Sequence, residues 1–285
     1  MKLISLLDRL AAPSVTAVGP APRRALLQQL GRAAVAALPL GLGALPAAAG
    51  TKDTSFDAVT QLLLLERLQL TLYTQALAVT GLIPAAQAAD FQRMLSHQTQ
   101  HAAFLAQALV SAGAAVPSVP AFDFSGQHNV AANPVLFPNV LTNYDNFLAL
   151  AQQLEDLGVR MYKAQAFVIS DDSQLSKAVL RIHSVEAEHS AHVRGLRRGR
   201  GAVVSTWPSE EDAAIVRPAG AQALTTAATG GEENAVQYRA ANVKIPFYNF
   251  LLSRDNTAIH DPSLAEAFDE PVTSFVAQAA LNLFV

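Results

Sequence analysis

Residues Arg181–Leu196 read RIHSVEAEHSAHVRGL, and the fold turns on this stretch because it carries a carboxylate and an imidazole three residues apart in a helical pattern. The pair is Glu186 and His189. Three residues advance an α-helix by slightly less than one turn, so both side chains leave one face and can hold a cation between them. Val179, Ile182, Val185, Val193 and Leu196 recur at helical spacing around the pair, which turns that face toward neighbouring helices. A carboxylate placed there needs a cation, a donor or a proton, since desolvating it unpaired is expensive. Glu-x-x-His also arises by chance in long helices, as a surface ion pair or a satisfied core histidine, so its weight depends on whether other helices answer it.

Three do. From Ser55 to about Thr80 apolar residues keep helical spacing for roughly seven turns, and Glu66 sits among Leu62, Leu63 and Leu70. Gly81 and Pro84 break the chain, and a second helix from about Ala85 to Ala112 carries Gln98 and His101 on the stripe of Met94, Leu95, Phe104, Leu105 and Ala108. His97, at the margin of that stripe, reads as a flanking histidine. Residues 113–138 are rich in Pro, Gly and Asn without helical period, the signature of a long crossover that lets the third helix run parallel to the second. His128 in this segment is expected to be exposed. The third helix, about Asn139 to Ser170, places Glu155 among Leu148, Ala151, Val159 and Tyr162, whereas Asp156, about 100° around the helix, reads as a solvated charge. Asp171, Asp172 and Ser173 form a turn and N-cap for the fourth helix. At its far end Arg194, Arg197, Arg198 and Arg200 read as cations complementing the helix dipole.

The 285 residues are 51% hydrophobic and 7% aromatic, which suits one domain with appendages and a core of Leu, Ala and Val. The absence of cysteine excludes disulfides, thiolate metal sites and a cysteine nucleophile, so any metal must be held by oxygen and nitrogen. Residues 1–49 differ from the rest. Arg23 and Arg24 precede an Ala/Leu/Gly segment ending in Ala47, Ala48 and Ala49, a small-x-small cleavage pattern, and Pro39 and Pro46 interrupt the apolar run. This resembles a twin-arginine export signal more than a membrane anchor, and it places the mature chain in the periplasm or outside the cell, with no stable membrane span. Without these residues 15 basic and 22 acidic residues remain, a net charge of −7 that speaks against nucleic-acid binding.

Beyond Gly199 the helical pattern stops. Residues 201–285 form an extension with two denser pieces, NAVQYRAANV and KIPFYNFLL, and a terminal AFDEPVTSFVAQAALNLFV in which Asp269 is placed to cap a helix with Pro271 in its first turn. Its apolar face is expected to dock on the bundle at 50–200. Trp207 and His260 are without an assigned role.

Four helices thus offer polar groups from apolar faces: Glu66; Gln98 with His101; Glu155; Glu186 with His189. A carboxylate from one helix, a carboxylate-x-x-His from the next, and the same again is the ligand order of carboxylate-bridged di-metal bundles. Oxygen and imidazole donors suit iron or manganese, with zinc allowed. The segments LLLERLQLTLY, HQTQHAAFL, LEDLGVRMYKAQA and IHSVEAEHSAHVR, with the arginine pair and the terminal AFDEP, resemble the exported ferritin-like domain proteins of bacteria over about Ser55 to Arg198. The resemblance implies an all-α ferritin-like four-helix bundle with one long crossover between helices 2 and 3. It also implies Glu66, His101, Glu155, Glu186 and His189 as metal ligands for one or two ions. Tyr73, Tyr162 and His97 surround them, the tyrosines as donors or as simple packing. Gln98 stands where the family carries a bridging glutamate and is at most a weak ligand. Two functions follow as expectations: iron chemistry with O2 or peroxide, ferroxidase-like or peroxide-consuming, or a non-catalytic envelope or stress-related protein with a degenerate site. A homo-oligomer is compatible with either.

Overall fold

The computed structural model describes residues 54–169, 172–209, 211–229 and 271–285, and among these the chain is all-α. Helices α1 (Ser55–Ala78), α2 (Ala85–Ser111), α3 (Tyr144–Val168) and α4 (Ser173–Gly199) form the bundle. A 3-10 turn at Ala219–Ala221 runs into α5 (Gln222–Thr229), and α6 (Ser274–Leu281) ends in a second 3-10 turn, Asn282–Phe284. The export segment 1–49, His260, Asp269 and the two denser pieces of the extension lie outside the described residues.

Local chemistry starts the helices where the side chains can satisfy their first N–H groups. Thr54 and Asp57 form a reciprocal capping box on α1, Asn143 accepts from the Asn146 N–H on α3, and Asp172 accepts from Gln174 and Leu175 on α4. Gly81, at φ 79°, supplies the left-handed residue in the short turn between α1 and α2. The contacts between helices set their directions. Tyr73 of α1 meets Glu155 of α3, and Glu66 meets Tyr162, so α1 and α3 are antiparallel. Since α1 and α2 form a hairpin, α2 and α3 run parallel, which is why 32 residues without helix, Ala112 to Asn143, separate them.

Two helix starts differ from expectation. The third helix begins at Tyr144, not Asn139, because Asn139 has φ 56°, a left-handed conformation that closes a turn rather than continuing a helix. The terminal helix begins at Ser274 with Thr273 as its cap, accepting from the Val276 N–H, so Pro271 precedes the helix.

The described parts of the extension pack on the bundle. Ala277, Ala280, Leu281 and Phe284 are buried, Gln61 of α1 donates to the Ser274 carbonyl at 2.8 Å, and Phe284 stacks on Phe137 of the crossover with centroids 4.8 Å apart. His128 is exposed, with Nδ1 2.8 Å from the Val285 carbonyl. Helix α5 packs on α3, where Gln153 donates to Thr225 and accepts from Arg217. With α1, α4 and α5 around it, α3 is buried on every side from Leu150 to Tyr162.

That enclosure corrects two charge assignments. Asp156 is buried, not solvated: it accepts two hydrogen bonds from Arg194, at 2.9 and 2.7 Å, one from Ser190 at 2.6 Å and one from Gln152 at 3.2 Å. Arg194 is likewise no dipole cap. Its guanidinium is fully buried and also donates to Asp212 at 2.5 Å and to the Trp207 carbonyl at 3.2 Å, tying α3, α4 and the extension together. The neighbouring Arg197 and Arg198 do lie in the last turn of α4.

Candidate metal centre

Glu66, Gln98, Glu155 and Glu186 are fully buried, and His101 and His189 nearly so. All six meet in the middle of the bundle. His101 Nδ1 lies 3.3 Å from Glu66 Oε2 and 3.4 Å from Glu186 Oε1; His189 Nδ1 lies 3.3 Å from Glu155 Oε2 and 3.7 Å from the same Glu186 oxygen. Two ligand groups result, Glu66 with His101 and Glu186, and Glu155 with Glu186 and His189, each with its donor atoms within 4.8 Å of one another. Glu186 belongs to both.

The surrounding hydrogen bonds leave free the atoms a cation needs. Tyr73 donates to Glu155 Oε1 and Tyr162 to Glu66 Oε1. Each tyrosine follows its own helix's glutamate by seven residues, so on antiparallel helices each reaches the other's carboxylate. The second oxygens, Glu66 Oε2 and Glu155 Oε2, are buried without a hydrogen-bond partner, as are His101 Nδ1, His189 Nδ1 and Gln98 Oε1. Buried polar atoms are ordinarily satisfied. Four of these atoms, the two glutamate oxygens and the two imidazole nitrogens, belong to the two ligand groups and fit a divalent cation with oxygen and nitrogen ligands.

His97 does more than flank the site. Its Nδ1 lies 2.9 Å from His189 Nε2, with the rings nearly parallel at 12°. Were His189 Nε2 to donate to His97, His189 Nδ1 would be left unprotonated beside Glu155, the tautomer a metal ligand requires. Gln98 Nε2 donates to Glu186 Oε1 at 3.2 Å. Two residues near the centre were not singled out by sequence. Gln69 of α1 donates to Glu186 Oε2 at 3.0 Å, and Gly158 of α3 lies directly against that oxygen.

A model of the ferritin-like domain matches residues 54–198. The chain belongs to the ferritin-like family. A comparison with curated proteins finds no match. The matched span covers the whole bundle and every residue of the candidate centre, while the ferritin-like fold by itself leaves the reaction open.

The metal-free electrostatics are those of crowded carboxylates. Burial and the Glu186 charge push Glu66 up to about 7 and Glu155 well above the usual carboxylate range. Burial also disfavours the Glu186 anion, but His101, His189 and Gln69 outweigh it and hold this carboxyl low. His101 is opposed by burial yet raised to about 10 by Glu186 and Glu66, whereas burial lowers His189. Glu66 and His101 therefore bind protons more tightly folded than unfolded. The stability they contribute is complete below their ordinary values of 4.5 and 6.5 and drains as pH rises through about 7 and about 10, respectively. A cation displaces those protons. Metal uptake at pH 6 is expected to release at least one proton per ion, and affinity to rise toward pH 8; calorimetry in buffers of different ionisation enthalpy measures this. Uptake with no proton release would contradict the assignment of His101 and Glu66 as ligands.

Proposed function

We propose that this ferritin-like protein binds iron at the Glu66, His101, Glu155, Glu186 and His189 centre and uses it in redox chemistry with O2 or peroxide. Manganese and zinc suit the same donors. The observation that carries the reading is the convergence of buried donors whose nearest polar neighbours are one another, Glu66 Oε2 with His101 Nδ1 and Glu155 Oε2 with His189 Nδ1, around the shared Glu186. When bound, iron supplies Fe(II)/Fe(III) one-electron chemistry toward the oxidant. The chain supplies the rest. Three glutamates bring charge and two imidazoles bring neutral donors. Tyr73 and Tyr162 hold one oxygen of Glu155 and Glu66 and so aim the other, and the apolar walls of the bundle limit water around the centre.

Gln98 favours a second reading, a bundle that has given up fast chemistry. Three glutamates carry −3, so one divalent ion leaves −1 and two leave +1 in a low-dielectric core. The Gln98 amide, moreover, donates to the very Glu186 oxygen the two groups share. One tightly held ion, with a second markedly weaker, is expected in wild type. Gln98→Glu adds the missing charge and a second bridging carboxylate, and should restore the second ion and speed Fe(II) oxidation. Anaerobic Fe(II) addition followed by air decides between the readings. No retained metal and no ferric absorption in wild type would end the enzyme reading, and two equal ions unaffected by Gln98→Glu would end the charge argument.

We propose export as well. Arg23, Arg24 and the Ala47 to Ala49 site support a twin-arginine signal removed near Gly50. No helix among the described residues is long and apolar enough to cross a membrane. Replacing both arginines by lysine is expected to retain the protein in the cytoplasm; an intact Met1 on exported protein, seen by mass spectrometry, would sink the cleavage site.

A further inference from the structure

Glu186 faces both ligand groups through one oxygen, Oε1. Its other oxygen, Oε2, lies in a seat built by Gln69 of α1 and Gly158 of α3, with the Gln98 amide of α2 farther off at 3.5 Å. Gln69, fully buried on α1, donates one amide hydrogen to Glu186 Oε2 at 3.0 Å and the other to the Leu154 carbonyl of α3 at 3.2 Å. Both partners are acceptors, so turning the amide over would set its carbonyl oxygen against two oxygens. The amide can only face this way. Gly158 forms the floor of the seat. A Cβ at this position would lie 2.5 Å from Glu186 Oε2 and 3.4 Å from Gln69 Nε2, so any side chain would evict the carboxylate oxygen or the amide. Glycine is a poor helix former, and here it stands in the interior of the most enclosed helix of the bundle.

We infer that Gln69 and Gly158 are positioning residues that hold Glu186 Oε2 in place and thereby leave a single carboxylate oxygen, Oε1, to be shared between the two metal positions. Both residues act through Glu186: Gln69 donates to its Oε2, and Gly158 leaves the space that oxygen fills. Their equivalents in spacing are unlike: Gln69 follows Glu66 by three residues and Gly158 follows Glu155 by three. The long amide from one helix fills the space left open by the missing side chain on the other. The proposal rests on the metal reading above.

Its test compares wild type, Gln69→Met and Gly158→Ala by Co(II) titration, read by calorimetry and by the visible Co(II) bands, with circular dichroism as the control for folding. Gln69→Met keeps the length and removes both donors; Gly158→Ala keeps the donors and removes the space. Each is expected to weaken Co(II) binding by about 10- to 100-fold and to change the band envelope at unchanged helicity. A crystal structure of metal-free Gln69→Met is expected to show the Glu186 carboxylate rotated out of the seat, and it decides the matter alone if Gly158→Ala does not fold. Wild-type affinity and wild-type bands in a folded variant, or an unmoved Glu186 in that structure, overturn the proposal. Failure of wild type to take up Co(II) overturns instead the metal reading, and with it the shared oxygen, while the metal-free structure still reports whether the seat exists.

Discussion

Glu186→Leu is expected to abolish metal uptake at both positions while leaving the helical bundle folded. Both ligand groups include Glu186, so its loss removes a donor from each at once; Glu66→Leu or Glu155→Leu removes one from a single group. The fold does not need this carboxylate. Leucine matches its volume, and replacing a buried charge by a well-packed apolar group is often neutral or stabilising by about 1–4 kcal/mol. Glu66 and Glu155 are freed from a like charge that raises both of their pKa values. Against this, Gln98 loses its acceptor, a cost of about 1–3 kcal/mol, and His101 loses Glu186 but keeps Glu66, while Gln69 keeps the Leu154 carbonyl. The opposing effects are comparable, and metal-free stability should stay within about 2 kcal/mol of wild type.

Elemental analysis and chelator sensitivity check it together. Wild type should lose thermal stability when a chelator strips its metal, because an ion bound only by the folded state stabilises it. Glu186→Leu should melt at one temperature with or without chelator. Wild-type metal content in the variant would remove Glu186 from the ligand set, and loss of helicity in the metal-free variant would give it a structural role instead.

Most of the candidate centre is legible because two periodicities coincide in it. Apolar residues at helical spacing mark the inward faces, and a glutamate or Glu-x-x-His on such a face has few ways to be satisfied. Glu66, Gln98, His101, Glu155, Glu186 and His189 meet in the structure for that reason. What surrounds them was less legible. The Glu-x6-Tyr spacing of α1 and α3 is visible in the chain, but that each tyrosine serves the opposite helix follows only once those helices are antiparallel. Gln69 reads as one more polar residue, and its importance depends on a glycine nearly ninety residues away. Asp156 reads as solvated for a more general reason. Helical period says which way a side chain points, not what covers that side, and the cover on α3 comes partly from residues 211–229 and 271–285. The start of α3 depended on a single backbone torsion at Asn139, which composition does not reveal.

The covered face of α3 also holds the residue whose loss should cost the fold most. Asp156→Ala is expected to destabilise the protein by about 3–5 kcal/mol, the range for breaking a buried ion pair from one side. Arg194 stays fully buried and charged after the substitution, because guanidinium does not shed its proton in a protein. It keeps Asp212 and the Trp207 carbonyl, but the bidentate pair at 2.9 and 2.7 Å is gone, and Ser190 and Gln152 lose an acceptor. At about 2–4 °C per kcal/mol for a domain of this size, the melting temperature should fall by roughly 10 °C. Removing both charges is a different perturbation. Arg194→Met with Asp156→Leu takes the pair out of the core whole and should recover much of the loss, leaving Asp212 to its bonds from the Ser205 and Ser209 N–H groups. Thermal melts of Asp156→Leu, Arg194→Met and the double variant form a cycle that measures the coupling. Additive effects, or an Asp156→Ala protein within about 1 kcal/mol of wild type, would show that water replaces the carboxylate and that α3 is less enclosed than its neighbours make it.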